Sequence, residues 1–169
     1  MARHLSIELP KHDVRAVARL LDDEAPRTCE AVWSALPVGG DVYHAKYARN
    51  ELYTFVPPVS EGLIGPENPT VTPIPGDLVY FEFASGVLPA ASHGYAEDQG
   101  AAGRDMVVDL AVFYGRNNLL LNGDVGWVPG NVFATVVEGL DDLVAAGNDV
   151  WRAGAVGEEL RFARRDGET

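Results

Sequence analysis

Tyr47, Arg49, Glu51, Tyr53 and Phe55 occupy every second position of one short stretch. If residues 47–55 are extended, these five project to one face, and Ala48, Asn50, Leu52, Thr54 and Val56 to the other. Aromatic walls carrying one cation and one anion suit a ligand site, where apolar surface binds and a few polar groups orient. In such a site Arg49 would clamp a carboxylate or polarise a carbonyl, and Glu51 would orient it or act as a base. Tyr80 and Glu82 share a face of a later strand and would extend the same wall. A plainer arrangement fits equally: an exposed Arg49–Glu51 ion pair worth at most about 1 kcal/mol, on a sheet surface packed with tyrosines.

Elsewhere the chemistry is thinner. Tyr114, Gly115, Arg116, Asn117 and Asn118 end a strand and enter a turn, where Arg116 is a second candidate anion contact; asparagine and glycine also simply make turns. The four histidines, His4, His12, His44 and His93, have no metal-ligand spacing, and one cysteine cannot complete a zinc set, so no metal or cofactor is expected. Cys29 lies on an apolar helix face with nothing basic beside it to stabilise a thiolate, which marks it as a core residue. His93, with Ser92, Tyr95, Glu97 and Asp98 nearby, is a lid residue, a general base or an ordinary exposed loop histidine. No Gly-x-Ser-x-Gly elbow, phosphate-binding Gly-Lys-Ser/Thr loop or dinucleotide fingerprint occurs.

The elements that would position these residues are mostly strands. Leu5, Ile7 and Leu9 alternate with polar neighbours, and a similar alternation runs over 14–20, giving two strands with a turn near Pro10. Pro26 opens a short helix on which Cys29, Val32, Trp33 and Leu36 recur at helical spacing, and Pro37, Gly39 and Gly40 are expected to stop it. A strand region over 42–56 is broken or bent near Arg49 and Asn50, and 59–75 reads as a loop. Further strands are expected over 78–83, 106–114, 133–138 and 159–163, rich in β-branched and aromatic residues. Residues 84–105 are small, glycine-rich and polar, a length that suggests a functional loop. Leu140, Leu143, Val144, Gly147 and Trp151 line one face of a second helix. Seven or eight strands with two isolated helices imply a mainly β protein, a closed or nearly closed antiparallel barrel with two capping helices.

Composition sets the partners. The 169 residues suit one domain spanning 1–169. With 25 acidic against 13 basic residues the formal net charge is -12, which repels phosphate backbones and anionic lipid. Nucleic acid is therefore not an expected partner. No stretch approaches the roughly 20 apolar residues of a membrane helix. A lone cysteine and an N-terminus without a long apolar run suggest the cytoplasm. A homo-oligomer is admitted.

Three segments, taken together, resemble the small bacterial proteins with a cyclophilin-like barrel, a domain of unknown function. Ala25-Pro26-Arg27-Thr28 leading to Leu36-Pro37 is similar to the Ala-Pro-x-Thr and Leu-Pro brackets around that group's first helix. Tyr47-Ala48-Arg49-Asn50-Glu51-Leu52-Tyr53 followed by Val56-Pro57 resembles a Trp-Gly-x-x-Glu-aliphatic-Tyr pattern. Pro75-Gly76-Asp77-Leu78-Val79-Tyr80-Phe81, with Val112-Phe113-Tyr114-Gly115-Arg116, is similar to its Gly-Asp turn and Phe-x-Gly strand end. The resemblance runs from about position 25 to 140 and implies the barrel, with the Tyr114–Asn118 turn beside its mouth. It does not imply proline isomerase chemistry, because the Phe-His-Arg segment and glycine-rich Gln-Gly-Gly-Asp run of true cyclophilins are absent.

The leading expectation is a barrel whose mouth binds a small metabolite, an amide or carboxylate, through Arg49, Glu51 and nearby aromatics. A peptidyl-prolyl isomerase or proline-peptide binder using Arg49 with Phe55 or Phe113 is the first alternative. A non-catalytic subunit, recognisable by a large exposed apolar patch, is the second.

Overall fold

The computed structural model describes residues 2–84 and 106–165. The expected loop around His93 lies outside them apart from Ala84, so nothing is said of its structure. In chain order the elements are β1 (His4–Leu9), a 3-10 turn (Pro10–His12), β2 (Val14–Leu20), α1 (Pro26–Ala35), β3 (Val38–Asp41), β4 (Tyr43–His44), β5 (Glu51–Val56), β6 (Pro69–Thr70), β7 (Asp77–Ala84), β8 (Met106–Phe113), β9 (Leu121–Asn122), β10 (Gly126–Trp127), β11 (Gly130–Glu138), α2 (Leu140–Ala153) and β12 (Glu159–Arg164). The main sheet runs β3-β12-β1-β2-β11-β7-β8-β5-β4, with β6 paired to β11 and a separate β9–β10 hairpin. Its pairings are antiparallel. No helix among the described residues is long and apolar enough to cross a membrane.

The sheet curls until β3 meets β5, where a nearly closed barrel is finished by close packing. A Cβ on Gly40 would stand 3.1 Å from Thr54 Oγ1, and one on Gly39 2.5 Å from the Leu160 carbonyl. Gly39 and Gly40 therefore belong to a strand that must pass close to its neighbours, which corrects their expected part in the helix stop; α1 ends at Ala35, with Leu36 as its C-cap directly before Pro37. Inside the barrel, Leu5, Ile7, Leu9, Leu52, Val56, Leu78, Tyr80, Leu110, Phe133 and Phe162 form one buried cluster. The buried faces of α1 (Cys29, Val32) and α2 (Leu143, Ala146, Val150) join it. Gly147 lies where any side chain would strike the Tyr114 ring, 2.5 Å from Cε1.

A second cluster covers the outer face of β5, β8 and β7: Tyr53, Val79, Phe81, Ala111, Phe113, Leu120 and Val132, with Ala45 and Ala48 over it. Covered on both faces, β8 is buried from Val107 to Phe113 and reads as an almost unbroken apolar run. The expected strand over 42–56 is two strands: β4 and β5 pair as a hairpin, Tyr43 opposite Tyr53, and 46–50 form the turn between them. Arg49 sits in that turn with φ +72°.

Candidate functional site

Register builds a cleft on the outer face. On β5, Glu51, Tyr53 and Phe55 alternate outward, opposite Phe113, Ala111 and Asp109 of β8. Asp109 in turn lies opposite Phe81 of β7. Phe55, Asp109 and Phe81 thus form one cross-strand row, a carboxyl between two phenyl rings. The 46–50 turn overhangs with Ala45, Lys46, Tyr47 and Ala48, and Leu120, Leu121, Asn122 and Val128 face them from the β9–β10 side. Together with Phe83 they enclose a cavity of about 80 Å³. Phe55 packs on Tyr53 and Tyr43 at centroid distances of 5.6 and 5.5 Å, and Phe81 stacks on Phe83 at 6.1 Å. Gly130 makes room for that wall: a Cβ there would lie 2.5 Å from Phe81 Cε1.

Two acids face this apolar space. Glu51 is 6% exposed and Asp109 7%. Among the described residues, Asp109 Oδ1 has no hydrogen-bond partner and neither carboxyl is ion-paired. Burial pushes the Glu51 carboxyl up to about 8. Burial, then the neighbouring Glu51 charge, holds Asp109 well above the usual carboxylate range. Removing an acid from water without a donor favours its neutral form. Such a pair gives up or takes a proton, or meets a ligand group that replaces the missing water.

The residues expected from sequence divide. Glu51, Tyr53 and Phe55 line the cleft, and Tyr47 stands at its rim, 43% exposed. Arg49 does not line it; it is exposed and lies in the 46–50 turn, outside the strand that carries Glu51, so the shared strand face with Glu51 is corrected. Nor are Arg49 and Glu51 ion-paired. Tyr80 and Glu82 are corrected likewise, because they lie one residue out of phase with Phe81 and point to the opposite face. There Glu82 accepts hydrogen bonds from the Ile64 and Gly65 amides (2.9 and 2.7 Å) and from the Tyr80 hydroxyl (3.1 Å), fastening the 57–68 loop. Phe113 shares the cleft's face but is fully buried and does not line it. Arg116 is exposed, and its carbonyl accepts a hydrogen bond from Asn50 Nδ2 at 2.7 Å, as a turn residue would.

Asp109, Phe81 and Phe83 were not anticipated. The signal for Asp109 was a single charge inside the run Val107-Val108-Asp109-Leu110-Ala111-Val112-Phe113. Cys29 is fully buried, its thiol pushed up to about 12 by burial, and donates to the Phe133 carbonyl at 3.1 Å. Among the described residues, no group of three or more His, Cys, Asp or Glu is placed to hold a metal.

A family model described as "Protein of unknown function (DUF3830)" matches residues 7–162. No curated protein matches the chain. The solved structure of McbB in complex with tryptophan is similar, with a TM-score of 0.62 and 18% identity, covering 98% of this chain and 46% of that one. The chain spans a little under half the length of McbB, and a likeness at this identity shows the barrel fold alone.

Proposed function

We propose that this chain, which belongs to the DUF3830 family of proteins of unknown function, binds a small molecule in the outer cleft between β5, β8 and β7. The observation that carries the reading is Asp109: a buried carboxyl oxygen with no partner among the described residues, lining a cavity walled by Phe55 and Phe81. Leaving such a group unsatisfied costs about 1–3 kcal/mol, which a ligand that donates to it returns on binding. A similar barrel, McbB, is known with tryptophan bound, which supports a small-molecule role for this architecture. Residues 1–169 are read as one domain of the small bacterial cyclophilin-like type. Of the two ligand classes expected from sequence, an amide donates to these acids, whereas a carboxylate would meet two more carboxyls with Arg49 turned away. Proline isomerisation is not proposed, since Arg49 does not overlook the cleft and Phe113 is buried beneath the surface.

The test is a thermal-shift screen of metabolites against wild type, Asp109→Asn and Arg49→Ala. A ligand is expected that raises the melting temperature of wild type and Arg49→Ala but not of Asp109→Asn. Ligands that stabilise wild type and Asp109→Asn equally would remove this cleft from consideration.

A further inference from the structure

We infer that the cleft recognises a protonated amine, seated on Asp109 between the Phe55 and Phe81 rings and within the field of Glu51. The inference rests on the small-molecule reading above and names the class of molecule that the cleft takes.

Charge balance is the first argument. The cleft holds two acids and no cation paired to either among the described residues. The arginines that form ion pairs do so elsewhere: Arg3 with Asp22 and Glu30, Arg15 with Glu8, Arg27 with Glu67, Arg161 with Glu159, Arg165 with Glu138. Lys46 lines the rim. A buried carboxyl is tolerated when a partner completes it, and here no partner comes from the described residues. The walls are the second argument. Phenyl rings present negative faces to a cation, so an ammonium over Asp109 gains attraction from both sides as well as from below. A metal ion fits less well, since magnesium and calcium demand six or more oxygen ligands and this cavity is walled largely by carbon. Size is the third. About 80 Å³ accepts an ammonium and a short stem, with the rest of the molecule leaving through the mouth beside Tyr47 and Leu121.

Proton exchange should accompany binding. Among the described residues, the titratable groups lining the cleft are Glu51 and Tyr53 on β5, Asp109 on β8, and Lys46 and Tyr47 in the turn; β7 contributes Phe81 and Phe83, and the β9–β10 side contributes Leu120, Leu121, Asn122 and Val128. In the empty cleft burial keeps protons on the acids. An arriving ammonium favours their carboxylate forms, so protons leave as the amine enters.

Isothermal titration calorimetry of the full chain with n-butylamine, n-butanol and butyrate, three molecules of one shape and different charge, tests this. At about pH 7 the amine is expected to bind at least about tenfold more tightly than the alcohol, with butyrate weakest. Its heat should vary with the ionisation enthalpy of the buffer in the sense of proton release. Asp109→Asn should lower amine affinity about tenfold, a larger loss than for the alcohol, which gives up a hydrogen bond but no ion pair; Glu51→Gln, also near-isosteric, serves as a second variant. Butanol binding as tightly as butylamine would overturn the amine inference and leave a small-molecule cleft standing. No heat from any of the three would also overturn it. Failure of the cleft itself is read separately, from metabolites that stabilise wild type and Asp109→Asn alike.

Discussion

Asp109 stands in a strand whose other positions from Val107 to Phe113 are all apolar, so its carboxyl has left water without gaining a donor. Glu51, on the neighbouring strand, is likewise buried, and burial raises its carboxyl. A carboxyl whose pKa is higher in the fold than in the unfolded chain holds its proton more tightly when folded. Its contribution to stability is therefore greatest at low pH and is lost as pH rises from the ordinary 4.5 towards about 8 for Glu51. Glu51→Gln and Asp109→Asn remove that loss. Both are expected to stabilise the empty protein, with little gain near pH 5 and on the order of 1–3 kcal/mol near pH 8, the range typical of an unsatisfied buried polar group. Urea denaturation at the two pH values measures the difference. A gain that does not grow with pH would mean that these acids are satisfied in the fold, and would weaken the case for a ligand. Stability given up at a binding site is a familiar exchange.

Helix α1 shows what an element needs from a distant part of the chain. Pro26 opens it, but Ala25 at the N-cap offers no side-chain acceptor. Glu67 supplies one from the 57–68 loop: its carboxylate accepts from Thr28 N (2.7 Å), Thr28 Oγ1 (2.8 Å), Arg27 N (3.2 Å) and Arg27 Nε (3.0 Å). Burial works to raise the Glu67 carboxyl, but these bonds outweigh it and hold the group below its ordinary value. Asn131 fastens the same loop, accepting from Glu67 N at 2.9 Å and donating to the Gly65 carbonyl at 2.9 Å. Glu67→Ala strips the helix of its anion and is expected to cost about 2 kcal/mol in urea denaturation, with Glu67→Gln losing less. Equal stability of wild type and Glu67→Ala would refute the cap. This contact spans 39 residues and no local pattern announces it. By contrast β1, β2 and both helices were legible, because each buries one face and its apolar period shows. The interruption near Arg49 and Asn50 was legible too, but not the facing of Arg49, since alternation continues through it and nothing in an arginine signals φ +72°. Half of the cleft was visible on β5 for the same reason of period. The other half lies on β8 and β7, where two-sided burial erases the alternation that would assign Asp109 and Phe81 to a face.

At the scale of the molecule, one cluster ties the first hairpin to the last two elements. Glu158, just before β12, accepts from the backbone amides of Lys11 (3.1 Å), His12 (3.0 Å) and Glu159 (2.8 Å) and bonds His12 Nδ1 at 2.5 Å. His12 Nε2 reaches Asp149 of α2 at 3.0 Å. The Glu158 hydrogen bond, opposed by partial burial and helped by Asp149, raises the His12 pKa above its ordinary 6.5. For Glu158, burial pulls upward but the His12 ring and the three amides outweigh it, leaving the carboxyl below its ordinary 4.5. The signs follow. A raised histidine contributes fully below about 6.5 and loses its contribution as pH climbs through the folded value; a lowered carboxyl contributes fully above about 4.5 and loses it as pH falls. The latch is therefore complete between about 4.5 and 6.5, and above that window it weakens in the same direction as the two cleft acids. A chain of formal net charge -12 should accordingly be most stable in mild acid, where its two cleft acids are neutral and His12 is charged. Unfolding free energies measured across pH should fall above about 6.5 in wild type and in Glu51→Gln. In His12→Asn the histidine's share of that slope should vanish while the cleft acids' share remains, and parallel wild-type and His12→Asn profiles would show that the latch does not contribute to the pH dependence.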